Sequence, residues 1–382
     1  MQAIHFGGGN IGRGFIGEVL NKNGMEVTFV DVNEAIIDAL NTNKRYTIEL
    51  AEEGNPEVEV DRVKGINSSE HPDAVVEAFE KAVLVTTAIG PKILPYIAPL
   101  IAKGIKKRND QKIEQPLDII ACENMIGGSD FLKLEVLKHL DEADKVYTEK
   151  YIGFPNAAVD RIVPLQSHDD VLRVTVEPYK EWVIDQSQLK NKELHLEGVH
   201  YAEALEPFIE RKLFTVNTGH ATTAYNGRYA GHHTVDEAMQ DEAVVEQVKA
   251  VLNETGALMV KKWGFDPVEH QQYIDKILSR FANSYIVDEL TRVGRTPIRK
   301  LGYDERFIRP MREAYERSLS TDALVRTVAK VLAYRDENDE ESTELEKMLL
   351  EESVETVVSR VTGLKEQKLI DQIVEAYNQL NK

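Results

Sequence analysis

The chain has a single cysteine, Cys122, so no intramolecular disulfide can form and a reducing compartment suits it. It is also short of positive charge. Its 46 Lys and Arg stand against 65 Asp and Glu, a formal net charge of −19. A balance of that sign repels nucleic-acid phosphates and anionic lipid, which argues against nucleic acid or membrane as a partner and otherwise serves solubility. No apolar run reaches the length needed to cross a bilayer. A strand-like stretch begins almost at Met1, so no secretory leader is expected, and the protein reads as cytoplasmic. Internal repeats and low-complexity linkers are absent as well. What remains is an ordinary 42% hydrophobic content spread over 382 residues, enough for two domains with separate cores.

The first seventeen residues carry the strongest signal. Ala3–Phe6 is a short apolar strand, followed at once by Gly-Gly-Gly-Asn-Ile-Gly-Arg-Gly, with helical periodicity resuming over 15–20. Gly7, Gly9 and Gly12 give the G-x-G-x-x-G spacing. Each glycine serves a purpose that a side chain would spoil: the tight turn, the approach to a pyrophosphate, and helix-on-strand packing. The diphosphate would rest on free N–H groups at the helix start. A second strand over 27–30 ends in Asp31, about 20 residues beyond the first glycine. An acid there accepts from ribose hydroxyls and repels a 2′-phosphate, favouring NAD over NADP. The competing reading is a glycine-rich loop that binds no dinucleotide.

Short apolar runs alternate with helical segments through the first half, the pattern of a parallel sheet covered by helices. Strands are expected over 82–87 and 117–121, with a helix over 96–106, and 46–48 and 58–60 look like an inserted β excursion. Strand-like alternation recurs over 151–164 and 171–178. From about Glu203 helical periodicity dominates, with helices expected over 238–258, 274–290, 323–332 and 344–361. The acidic stretch 336–346 is expected to be a solvated helix connection. The fold class is therefore α/β. A Rossmann-type doubly wound sheet domain with β insertions, residues 1–203, precedes a mostly α-helical domain, residues 204–382.

Asn124 follows a sheet strand, where ligands of open α/β sheets bind, and its amide suits a carbonyl or alkoxide oxygen. Closing a turn is the bland alternative. Lys212, Asn217 and His220 form a second group. The last two share a helix face, but on a regular helix Lys212 lies about 140° from Asn217. A bend or a helix start near Thr215 would be needed to align them. Their chemistry suits alcohol oxidation: a desolvated lysine as base, an amide on the oxyanion, and a histidine orienting either the base or the substrate. Taken singly, they also read as a surface lysine, a cap and a core histidine. His220, His232 and His233 are close in sequence, but without a Cys pair or His-Glu-x-x-His they make no recognisable metal site. Arg280, Arg292, Arg295, Arg299, Lys300, Arg306, Arg309 and Arg312 cluster, either to hold a phosphate or to pair with the interleaved Asp288, Glu289, Asp304 and Glu305.

Together these residues resemble the polyol-specific long-chain dehydrogenases, of the mannitol dehydrogenase-like type. The resemblance rests on the loop 5–17, on Val-Asp-Arg-Ile within 154–164, on Lys212, Asn217 and His220, and on motifs through 280–310. Gly8 stands where the family's alanine is expected. The resemblance implies that Lys212 is the general base, that Asn124 and Asn217 stabilise the oxyanion, and that His220 positions the base. NAD is the implied cofactor. The residues expected to hold it are Ala3, Gly7, Gly9, Asn10, Ile11, Gly12, Arg13, Gly14, Asp31 and Thr86. The implied reaction is reversible, metal-independent hydride transfer between NAD and a sugar phosphate, D-mannitol 1-phosphate giving D-fructose 6-phosphate. An unphosphorylated polyol or a hexuronate is the alternative substrate, and a non-catalytic NAD sensor is the more distant one. Related members are longer, with an extension before the glycine loop. A monomer or a homodimer is expected.

Overall fold

Six parallel strands make the main sheet of the computed structural model, which describes residues 1–164 and 166–380. In chain order the strands are β1 (Gln2–Phe6), β2 (Glu26–Asp31), β3 (Tyr46–Leu50), β4 (Glu57–Val60), β5 (Val63–Asn67), β6 (Ala82–Thr87), β7 (Leu117–Ala121) and β8 (Ile152–Gly153). The main sheet runs β5-β2-β1-β6-β7-β8. With its members renumbered in sequence order this is 3-2-1-4-5-6, the Rossmann arrangement, in which the order reverses beside β1. Both faces are covered, so the central strands are mostly apolar. Val27, Phe29, Leu84, Val85, Ile119 and Ile120 are fully buried, each stabilising the fold by roughly 1.5–3 kcal/mol.

Two small sheets complete the first compact unit, Met1–Phe208. Strands β3 and β4 form the expected excursion as an antiparallel pair, joined in parallel by β10 (Val174–Val176). The other small sheet sets β11 (Glu181–Asp185) between β9 (Ala157–Asp160) and β12 (His200–Ala202).

The second compact unit, Ile209–Lys382, is helical in its described part. Asn381 and Lys382, where the expected second domain ends, lie outside the described residues. At its centre the helix Thr218–Ala230 is buried almost all round. It packs against Glu242–Trp263 and Leu290–Gly294. Gly227 allows the close approach of the second of these: a Cβ there would stand 2.8 Å from Leu290 Cδ1.

Three expected helices shift at their ends. The first runs Glu242–Trp263, not 238–258, because the Asp241 side chain caps its start. The second ends at Phe281, and residues 282–289 leave it to pair with 233–235 through Val235 N–Asp288 O and Leu290 N–His233 O, both 2.9 Å. The third, 344–361, is two helices, Glu340–Glu351 and Val354–Thr362. Glu352 is extended and the Ser353 side chain caps the second helix. The acidic connection is not fully solvated. Asp339 is buried, and accepts from Thr296 N at 2.7 Å and Ser342 N at 3.1 Å.

Candidate active site

In the first unit the glycine loop leaves β1 at Gly7, whose φ is +111° and whose N–H donates to Val30 O at 2.9 Å. A Cβ on Gly7 would come within 2.5 Å of Ala88 O, and one on Gly12 would collide with Gly7 O. At Gly9 a Cβ would meet nothing within 4 Å. That open position, at the start of a helix beginning at Asn10, fits the close approach of a diphosphate to backbone N–H groups. Asp31 is held in place by three backbone donors: Gly8 N at 2.6 Å, Val32 N at 2.7 Å and Asn33 N at 2.9 Å. A carboxylate offers about four acceptor positions, so capacity for a ribose hydroxyl remains.

The helix that follows is not regular. Gly12–Gly17 is a π turn and Glu18–Lys22 is α-helical. Such turns are rare and recur at functional sites. Gly7, Gly9, Asn10, Ile11, Gly12 and Gly14 thus lie together on the loop and turn, with Asp31 at the next strand's end. Of the other three expected cofactor residues, Arg13 shares the turn and Ala3 and Thr86 lie on β1 and β6, and their side chains are buried. Arg13 is buried, and its guanidinium donates to Leu172 O and Val171 O, each at 3.1 Å, and to Gly8 O. Thr86 is fully buried with its hydroxyl 2.7 Å from His5 Nδ1. Burial pushes the His5 imidazole down to about 3, so the ring is neutral. Ala3 is a buried core residue between Val27 and Leu84.

At the end of β7, Asn124 is exposed and its neighbour Glu123 is buried. The Glu123 carboxylate accepts from Thr87 Oγ1 at 2.8 Å, Ile89 N at 3.0 Å and Gly90 N at 2.8 Å, tying the end of β7 to the loop after β6.

In the second unit the segment Lys212–Asn217 is not regular α-helix but a second π turn. Thr218 N–H donates to Leu213 O, five residues back. With i→i+5 bonding, residues five apart lie closer to one face than on an α-helix, which reduces the angular separation of Lys212 and Asn217. Lys212, Asn217 and His220 are half-buried.

His220 Nε2 lies 3.1 Å from Asp288 Oδ2, and its ring stacks on Phe281 with centroids 5.1 Å apart. Burial pushes the Asp288 carboxyl up, but hydrogen bonds from His220 and Arg292 and their charges outweigh this and set it at about 2. An ionised Asp288 accepts from Nε2–H, so when the ring carries that proton alone, Nδ1 is left as an acceptor. Just before Lys212, buried Glu210 accepts from Trp263 Nε1 at 2.7 Å, from Lys262 at 2.8 Å and from Arg309.

The basic cluster is largely ion-paired: Arg292 with Asp288, Arg299 and Arg306 with Glu305, Arg309 with Glu210 and Glu313, and Arg312 with Asp304. Lys300 is buried and donates to Arg295 O. Its burial, then the charges of Arg306 and Arg299, pull its ammonium down to about 7. His232 pairs with Asp241 at 3.0 Å. Among the described residues no three His, Cys, Asp or Glu side chains are grouped to hold a metal ion, and no helix is long and apolar enough to cross a membrane. Asp288, Glu210 and Glu123 were not singled out as site residues from sequence. For Asp288 the i,i+4 spacing to Arg292 was the available signal.

The model of the mannitol dehydrogenase Rossmann domain matches residues 1–198, and that of the mannitol dehydrogenase C-terminal domain matches 204–381. The chain belongs to the mannitol dehydrogenase family. Within it, the chain is 57% identical to the mannitol-1-phosphate 5-dehydrogenase of Lactiplantibacillus plantarum over 99% of this chain and 98% of that one. It is 59% identical to the enzyme of the same name from Enterococcus faecalis, with the same coverage. Among solved structures it resembles D-sorbitol dehydrogenase in substrate-free form, with a TM-score of 0.83 at 17% identity, covering 100% of this chain and 93% of that one. The mannitol 2-dehydrogenase of Pseudomonas fluorescens, solved with NAD and D-mannitol, gives a TM-score of 0.71 at 16% identity, covering 100% and 92%. At such identities the likeness is one of fold.

Proposed function

We propose that this chain is an NAD-dependent dehydrogenase that interconverts D-mannitol 1-phosphate and D-fructose 6-phosphate. The observation that carries the substrate is the identity of 57–59%, over nearly the whole chain, to relatives named for mannitol 1-phosphate. NAD, when bound, supplies the hydride acceptor. Gly7, Gly9, Asn10, Ile11, Gly12 and Gly14 would hold its diphosphate, and Asp31 its ribose, in preference to a cofactor bearing a 2′-phosphate.

Lys212 takes the proton from the substrate hydroxyl as a general base. Asn217 and Asn124 donate amide hydrogens to the oxygen as it gains negative charge. His220, with Nε2–H held by Asp288, offers Nδ1 as an acceptor that orients Lys212. The closer side-chain alignment made by the Lys212–Asn217 turn supports these roles. A single cysteine, Cys122, can form no intramolecular disulfide, which suits a reducing compartment such as the cytoplasm. One copy or a pair of copies serves this chemistry equally.

Because the basic cluster is mostly self-paired, an uncharged polyol is the second reading. The test is NADH consumption by the purified protein with fructose 6-phosphate, free fructose and a hexuronate, repeated with NADPH. Fast turnover of fructose 6-phosphate with NADH alone is expected. Equal rates on free fructose overturn the phosphate, and equal rates with NADPH overturn the role of Asp31.

A further inference from the structure

The Val-Asp-Arg-Ile segment and the β3–β4 excursion have no part in the reaction as proposed, yet both end on the nucleotide turn. Two adjacent carbonyls of that turn accept side-chain hydrogen bonds from distant residues. Tyr46 Oη donates to Arg13 O at 2.8 Å, and Arg161 Nη1 donates to Gly14 O at 2.8 Å. Arg161 also donates to Glu177 O at 2.9 Å and pairs with Glu18, whose carboxylate is further bound by Lys22 at 2.6 Å and Lys180 at 2.9 Å. The side chains of Arg161 and Glu18 are 0% and 1% exposed.

The turn is enclosed on its other sides as well. A Cβ on Gly17 would lie 2.5 Å from Tyr46 Oη, and one on Gly14 would lie 2.7 Å from Val176 of β10. Strands β3 and β10 of the small sheet therefore seat directly on it. Burial raises the Tyr46 phenol far above its ordinary range, so it remains a donor. Burial also pushes Glu18 up, but the charge of Arg161 and bonds from Lys22, Lys180 and Arg161 bring it to about 2, so it remains an anion.

We infer that Tyr46 and Arg161 are positioning residues for the dinucleotide, holding Gly12–Gly17 in the wide register that aims the loop's N–H groups. The inference rests on reading this loop as an NAD site. Relaxing a π turn by one residue rotates the helix start by about 100°, enough to turn those N–H groups away from a bound diphosphate.

The test compares Tyr46→Phe and Arg161→Lys with Tyr147→Phe, which removes another hydroxyl-to-carbonyl bond of a buried tyrosine, 2.5 Å to Ile113 O, away from the loop. NADH Kd is read by fluorescence titration, thermal midpoint by calorimetry, and kcat at saturating NADH. Tyr46→Phe and Arg161→Lys are expected to weaken NADH about tenfold with kcat nearly unchanged, and Tyr147→Phe to lower the midpoint while leaving Kd unchanged. If Arg161→Lys does not fold, Tyr46→Phe decides. An NADH Kd in Tyr46→Phe no weaker than in Tyr147→Phe overturns the inference. A wild-type protein that binds no NADH overturns the dinucleotide reading first, and this inference with it.

Discussion

The two π turns of this molecule are built for opposite purposes. Gly12–Gly17 is entirely buried, and three of its six residues are glycines. Its working surface is the backbone at its leading end, and its shape is held by side chains from elsewhere in the unit. Lys212–Asn217 has no glycine, and the two side chains proposed for the chemistry, Lys212 and Asn217, are half-buried. A side chain at its own trailing end ties it down: Thr218 Oγ1 donates to Leu213 O at 2.9 Å and to Arg306 O at 2.7 Å. On the proposed reading, the same irregularity makes room for a ligand's charge in one unit and lines up a base and an amide in the other. A wide turn is thus a tool for changing which residues share a face, and what it presents depends on the residues placed in it.

Substitutions in the two turns should separate these purposes. Lys212→Ala gives the largest effect, a fall in kcat of about 10³-fold or more, with NADH affinity within twofold of wild type in a fluorescence titration. Near-normal turnover would remove Lys212 from the chemistry. Gly12→Ala acts in reverse. Its Cβ collides with Gly7 O, and NADH binding should weaken by roughly 100-fold. Unchanged affinity would show that the backbone of the first turn is not the binding surface.

Asp288→Asn should lower kcat on the order of tenfold and leave NADH binding alone, because only the orientation of His220 is lost. An effect on Kd with none on kcat would contradict that assignment. The smallest effect is on stability in acid. The Asp288 carboxyl is held at about 2 against its ordinary 3.8, so its contribution is present above about pH 4 and is lost as pH falls toward 2. Thermal midpoints of Asp288→Asn should show a flatter dependence across that window than wild type.

Some of this was legible in the residues. Buried parallel strands read as apolar runs, so 82–87 and 117–121 are found where the sequence predicts them. The loop was legible because backbone at φ +111° beside Ala88 O tolerates only glycine. Helix ends were harder. One extended residue and one capping serine divide 344–361, and neither disturbs the apolar periodicity. The spacing of Lys212 and Asn217 did not fit an α-helix, and that misfit was itself the trace of a π turn. Arg13 and Thr86 show what spacing does not encode. Their partners lie at Leu172 and His5, so only the folded chain reveals that one guanidinium braces carbonyls and that one hydroxyl faces an imidazole inside the sheet. The basic cluster divides the same way: its counter-ions include Glu210, far upstream in sequence.

The hairpin of β3 and β4 looks like an ornament that could be pruned from a minimal nucleotide-binding fold. Because it brings Tyr46 to the carbonyl of Arg13, excising it would strip a brace from the turn proposed to meet the ligand. A trimmed version, however well it folded, would need a new hydroxyl delivered to the same spot before it could grip as the intact domain does.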